Sequence, residues 1–253
     1  MPRPPDAQSD NAETGAEQEL LSLANQARSR AGVPALRVDP CLTRAAGQHA
    51  ALMAERGEIS HQFPGEPPFN RRIAANCASP LDQYAENVAQ ASDAQGAHES
   101  LMHSPPHREN LLHPSYNVAG FGIVRRGSSV YVVQDFAHSL PSYSAQRAVE
   151  LIAASIERAR ASAGLSPLQQ SDSAIAGAEA CALARADSLT PATPAQPGQA
   201  RYTVRYTTLQ PEDLPAAAVK AVRNQAHAFE LGACFARSAS YPTGAYWVVL
   251  ELR

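Results

Sequence analysis

Ser104-Pro105-Pro106-His107-Arg108-Glu109-Asn110-Leu111-Leu112 stands a few residues ahead of Val118-Ala119-Gly120-Phe121-Gly122-Ile123-Val124. The two prolines end a helix expected over 94–103, because proline lacks an N–H and disfavours helix in the residue before it. His107 to Leu112 reads as one more helical turn. The apolar runs 118–124 and 130–136 flank a short glycine-containing segment, which is a hairpin signal. A helix leading into a hairpin is the pattern from which the rest of the chain is read.

Working back toward the start, Leu20, Ala24, Ala27 and Ala31 fall on one face of a helix over 14–31. Gly32 and Pro34 stop it. Asp39-Pro40 reads as an N-cap followed by proline at the first helical position. Leu42, Ala45, Ala46, His49, Ala50 and Met53 supply the buried face of this second helix, and Gly57 ends it. Residues 61–68 read as loop, 69–75 as a short helix and 84–89 as a short strand.

Toward the other end, 140–144 is a joint, and the chain beyond it repeats the plan. Ala148, Ile152, Ser155, Ile156 and Ala159 mark a helix stopping at Gly164. A second helix spans 171–189, a proline-rich loop 190–199, a strand 202–206 and a helix 214–228. Strands 231–236 and 246–252 form the closing hairpin. Gly32 faces Gly164, Gly120 faces Gly232, and Val130-Tyr131-Val132-Val133 faces Ala245-Tyr246-Trp247-Val248. A repeated order of this kind decides the fold if it is real. Counting back from the paired glycines sets Val219 opposite His107, and Tyr206-Thr207-Thr208-Leu209 opposite Glu86-Asn87-Val88-Ala89. The second copy therefore keeps a foldable scaffold and lacks the polar groups of the first. The alternative is an unrelated α+β domain over 144–253.

The composition narrows the function classes. Hydrophobic residues make up 44% of 253, enough for packed cores and against wholesale disorder. The 21 Lys and Arg are outnumbered by 24 Asp and Glu, so no basic excess favours nucleic acid. No apolar run reaches the ~18 residues of a membrane span. Residues 1–12 are polar and proline-rich and lack the apolar stretch of a signal peptide. Either the chain is cytoplasmic or a signal was removed before this numbering. Cys41, Cys77, Cys181 and Cys234 form no C-x-x-C pair. They suit one disulfide per half in an oxidising compartment, or four small buried residues.

Six ordered motifs resemble the bacterial branch of the CAP superfamily of cysteine-rich secretory, antigen 5 and pathogenesis-related 1 proteins. They are Asn25-x-x-Arg28-x-x-x-Gly32-x-x-x-Leu36, the lone His61, Glu86-Asn87-Val88-Ala89, Ser104-Pro105-x-His107-Arg108-x-Asn110-Leu111-Leu112, Ala119-Gly120-Phe121-Gly122 and Gln134-Asp135-Phe136. The resemblance covers about 16–138. It implies an α+β fold of tandem α-β-α sandwiches, each with a small antiparallel sheet between helices. A domain over 14–139 carries the polar cleft, and a degenerate repeat over 144–253 lacks it.

The resemblance places His61, Glu86 and His107 in the cleft. Ser104 stands where other branches carry a second glutamate. Two neutral imidazoles with a carboxylate can hold zinc or a similar divalent ion. An imidazole beside a carboxylate can also act as general base. The resemblance implies an extracytoplasmic binding module for a lipid, small molecule or surface protein. The alternative is a metal-dependent hydrolase using His61, Glu86 and His107. His98, His103 and His113 are read as surface residues, and Arg108 and Asn110 as structural ones. For an exported protein, Cys41 is expected to pair with Cys77 and Cys181 with Cys234.

Overall fold

The structure is a computed structural model that describes residues 7–76, 79–191 and 202–253. The expected loop over 190–199 lies almost wholly outside these residues. The chain divides into two compact units, one ending at Ser139 and one running from Leu140 to Arg253.

The first unit contains helix α1 (Ala7–Arg30), strand β1 (Arg37–Val38), α2 (Pro40–Arg56), α3 (Phe69–Asn76), β2 (Leu81–Ala91), α4 (Ala94–His103), α5 (Pro105–Leu112), β3 (Val118–Arg126) and β4 (Ser129–Ser139). The four strands form one sheet in the order β1-β3-β4-β2. The hairpin β3–β4 and the pair β2–β4 are antiparallel, and the two-residue edge strand β1 runs parallel to β3. The expected sheet of antiparallel strands thus gains a parallel edge. A two-residue strand carries too little pattern to be read from sequence.

Alternation along β4 builds a three-layer sandwich. Val130, Val132 and Phe136 pack with Leu20, Ala24 and Leu101 of α1 and α4. Tyr131 and Val133 point the other way, onto Ala46, Ala50 and Met53 of α2. Period-two side chains on one strand therefore feed two separate cores. The start of α2 is built as expected, with the Asp39 carboxylate accepting from the Cys41 and Leu42 amides and Gly57 closing the helix at φ 75°. Strand β2 is longer than expected because its solvent-facing start, Asp82 and Gln83, hides the alternation.

The second unit repeats this topology with α6 (Ala145–Ala161), β5 (Gln169–Asp172), α7 (Ala174–Ala186), β6 (Tyr202–Thr208), α8 (Ala216–Val222), β7 (Ala228–Ala236) and β8 (Ala245–Leu252). Its sheet order is β5-β7-β8-β6, again with one parallel edge. Tyr246, Val248 and Leu250 of β8 face α6 and α8, while Trp247 and Val249 face α7. The element boundaries differ from expectation most at the start of one helix and the end of the next. Helix α7 starts at Ala174 because Ser173 caps it, and the residues before it pair as β5. Helix α8 ends at Val222, and Ala228 already belongs to β7.

A buried arginine marks the same joint in each unit. Arg28 is fully buried and donates to the carbonyls of Pro34, Leu111, His113 and Tyr116. Arg160 donates to Ser166, Val222 and Asn224. Matching these carbonyls sets Ala218 opposite His107. Val219 was expected there, but β7 gained residues ahead of Gly232 and the count slipped by one. The hairpin also shifts. Gly120 pairs with Asp135 and Gly232 with Val249, so Tyr131 faces Ala245 and Val132 faces Tyr246, one residue off the expected match. A one-residue slip would exchange the two faces. Replacing Arg28 with methionine should strand four carbonyls and destabilise the first unit by roughly 3 kcal/mol. Urea unfolding followed by far-UV circular dichroism measures it, and an unchanged midpoint would contradict the role given to Arg28.

Candidate functional site

His61 sits in the loop after α2, Glu86 in mid-strand on β2, and His107 in the first turn of α5. The structure brings all three together. His61 Nδ1 lies 2.9 Å from Glu86 Oε1. The His61 and His107 rings stand with centroids 6.5 Å apart, tilted by 32°. His107 Nδ1 is 2.9 Å from the Ser104 hydroxyl, and the Asn87 amide donates to the His107 carbonyl at 2.9 Å. Each ring thus spends its Nδ1 on the protein; the Glu86 carboxylate only accepts, so His61 donates from Nδ1, while the Ser104 hydroxyl can serve His107 Nδ1 as donor or acceptor. Burial, and then the neighbouring His61 ring, hold His107 below the ordinary histidine value, so it is neutral at pH 7.

Glu86 is nearly inaccessible, while the His61 side chain is 58% exposed. Arg72 of α3 reaches Glu86 Oε2 with one nitrogen and donates to the His61 carbonyl at 2.8 Å with the other. It therefore holds both His61 and the carboxylate that orients it. The Arg72 nitrogen on the His61 carbonyl also lies 3.0 Å from Glu66 Oε1. Glu66 in turn accepts from His49 Nδ1 at 2.7 Å and from the Phe63 amide at 3.0 Å. Burial alone would raise the Glu66 carboxyl. The Phe63 amide, His49 and Arg72 together hold it below the usual range. His49 Nε2 lies 2.7 Å from the Ser60 carbonyl. Both nitrogens of this buried ring face acceptors, Glu66 and the Ser60 carbonyl. The result is a line of contacts: His49, Glu66, Arg72, Glu86.

Asp135, directly across the strand pair from Glu86, is buried, and its Oδ1 has no hydrogen-bond partner. Burial first, and the Glu86 charge second, push its carboxyl well above the usual range. Asn110, expected to be structural, donates to Asn87 Oδ1 and so braces the strand under His107. Arg108, expected to be structural, is exposed, and Arg28 performs the carbonyl clamp instead. His98, expected at the surface, is buried, and burial lowers its pKa. His49, Glu66 and Arg72 were missed as site residues. His49 looked like one more member of an apolar helix face, and no local spacing links Glu66 or Arg72 to Glu86.

Among the described residues, no group of three or more His, Cys, Asp or Glu side chains is arranged to hold a metal ion. Glu86 has both oxygens engaged, so the ligating atoms on offer are the two histidine Nε2 atoms. Two rings bound to one zinc at ~2.1 Å have centroids roughly 5–6 Å apart. The observed pair is slightly wider.

The second unit holds none of these groups. Arg205 occupies the place of Glu86, opposite Val249, and pairs with Glu179 at 2.6 Å. Tyr206 takes the place of Asn87, and the expected alignment of Tyr206 with Glu86 was one residue late.

This three-layer sandwich is of the CAP type. Residues 21–136 match the model of the cysteine-rich secretory protein family, and this part of the chain is a CAP domain. A sequence comparison with curated proteins finds no match. Among solved structures, the chain is similar to an extracellular protein containing an SCP domain from Bacillus anthracis str. Ames. The identity is 27% and the TM-score 0.49, over 55% of this chain and 45% of that one. The chain thus spans less than half of that protein's length. An outer surface protein from Borrelia burgdorferi is 19% identical with TM-score 0.46, over 55% of this chain and 100% of that one. Na-ASP-1 is 9% identical with TM-score 0.50, over 94% of this chain and 89% of that one. This last likeness is one of fold alone, and it runs through both units.

Proposed function

We propose that the chain is an exported binding module whose first unit holds a divalent metal ion, zinc or one like it, between His61 and His107. The second unit is a degenerate copy of the first, without a cleft. The observation that carries this reading is the approach of two rings whose Nδ1 atoms are already engaged. Glu86 then orients His61 instead of ligating, in the carboxylate–histidine–metal arrangement. Water or a group from a bound lipid, small molecule or surface protein completes the shell. The Cys181–Cys234 disulfide supports export, because such bonds persist in oxidising compartments. No described helix is long and apolar enough to cross a membrane.

Titration calorimetry with zinc chloride on protein purified without chelator tests the reading. The wild type should bind one ion, His61→Ala/His107→Ala none, and Glu86→Gln about 10–100-fold more weakly. Equal binding by the double alanine variant would overturn it.

A further inference from the structure

We propose that Glu66 and Arg72 are positioning residues that act on the cleft through Glu86, fixing His61 as the Nδ1–H tautomer with its Nε2 bare. This rests on the reading of His61 and His107 as the working pair. Its test nevertheless needs no metal.

The loop that carries His61 has no regular structure of its own, and the His61 side chain is largely exposed. Nothing in the loop alone holds the ring. The hold comes from three buried points. His49 of α2 grips the loop at Ser60 on one side of His61 and at Glu66 on the other. Glu66 also accepts the Phe63 amide, and the Glu66 amide donates back to the Phe63 carbonyl at 3.0 Å. Arg72 then ties this closed turn to the sheet, because its one guanidinium meets Glu66, the His61 carbonyl and Glu86. A guanidinium has the fork of donors needed to meet all three at once, and an ammonium does not. Both Glu86 oxygens are thereby fixed, one on Arg72 and one on His61. A carboxylate fixed at Nδ1 demands a proton there, and a neutral ring then carries its lone pair on Nε2.

Glu66 is the point at which this line of contacts can be cut without touching the cleft. Its carboxylate accepts from three donors: His49 Nδ1, Arg72 and the Phe63 amide. A glutamine of the same shape offers one oxygen and turns an NH2 against at least one donor. With its oxygen on His49 and Arg72 the NH2 meets the Phe63 amide and opens the turn that Arg72 ties to Glu86; with the amide flipped it meets Arg72 and His49 directly.

The experiment is long-range 1H–15N NMR of the histidine rings in metal-free protein at neutral pH. Spectra are compared for wild type, Glu66→Gln and Arg72→Lys. In the wild type, His61 should show a protonated Nδ1 and a bare Nε2. In both variants it should drift toward the Nε2–H form that a free imidazole side chain prefers. The Glu66 amide should also exchange at least tenfold faster, while amides of β3 and β4 keep their wild-type rates. If Glu66→Gln gives no folded spectrum, Arg72→Lys decides alone. A wild-type His61 protonated at Nε2, or the wild-type tautomer retained in the folded variants, would overturn the proposal. Failure of zinc to bind would leave this spectrum unchanged and would count only against the metal reading.

Discussion

Gly120→Val should unfold the first unit outright and leave the second folded. A Cβ on Gly120 would lie 2.1 Å from the Leu42 carbonyl carbon and the Thr43 nitrogen, both backbone atoms of α2. A side chain in the way can change rotamer, but a helix backbone can only move away. Moving α2 opens the core formed by Ala46, Ala50 and Met53 on Tyr131 and Val133. Ordinary overpacking costs ~1–3 kcal/mol. A branched side chain driven into backbone belongs with the exceptional cases above ~4 kcal/mol, a large part of the ~5–15 kcal/mol that holds a domain together. Gly127→Ala is the contrast. That glycine has φ 61° in the hairpin turn and open space around it, so alanine there costs only ~1–2 kcal/mol of left-handed strain. Trp247 is the only tryptophan and lies in the second unit, so its urea transition serves as the internal control. A Gly120→Val protein with wild-type hydrogen exchange along β3 and β4 would show that α2 can give way, and the account of this contact would fail.

The elements legible in the sequence were those with a strong local signal. Asp39-Pro40, Gly57, Pro105-Pro106 and the alternation of 130–136 each fixed a boundary or a face, and the structure keeps them. Strands β1 and β5 were not legible, because their partners lie some 60–80 residues away and their own residues are polar or exposed. In the site, His61, Glu86 and His107 were found through motif spacing. The network beneath them was hidden for a physical reason. A buried ion pair between a helix and a loop leaves no period in the sequence, so Arg72 in Phe69–Asn76 reads as an ordinary charged helix residue. His98 was misjudged in the same way. It lies among polar neighbours in sequence, while Ala94, Ala97 and Leu101 around it set the face that packs inward. Cys77 lies outside the described residues, and Cys41 has no disulfide partner among them.

Opening the second unit's disulfide should cost that unit about 4 kcal/mol, and the reason can be read from the first unit. There, α2 comes down on β3 at two glycines of the strand. A Cβ on Gly122 would lie 2.4 Å from the Ala46 carbonyl carbon and the Gly47 nitrogen, just as one on Gly120 would meet Leu42. In the second unit, Gly232 meets Ala176 and Gly177 of α7 at the same 2.1–2.2 Å, so Ala176 stands where Leu42 does. Stepping along both elements from that contact puts Cys234 in the place of Gly122 and Cys181 in the place of Gly47. The burial of the helix agrees, with the same half-buried, exposed, buried, buried order starting at Gly47 and at Cys181. Where the first unit closes this gap with bare backbone, the second closes it with a bridge, Cα to Cα 5.2 Å. The expected pairing of Cys181 with Cys234 is thus present. Its sequence separation of 53 corresponds to ~4 kcal/mol of chain entropy, with measured bridges often giving less. Cys181→Ala/Cys234→Ala should therefore lower the urea midpoint of Trp247 emission, since Trp247 is paired across the strands with Cys234. Reduction of the wild type should lower it to the same point. The first unit, followed by hydrogen exchange along β3 and β4, should stay at its wild-type stability. If the oxidised, reduced and double-alanine proteins all share one Trp247 midpoint, α7 is held to β7 by packing alone, and the bridge adds nothing to the second unit.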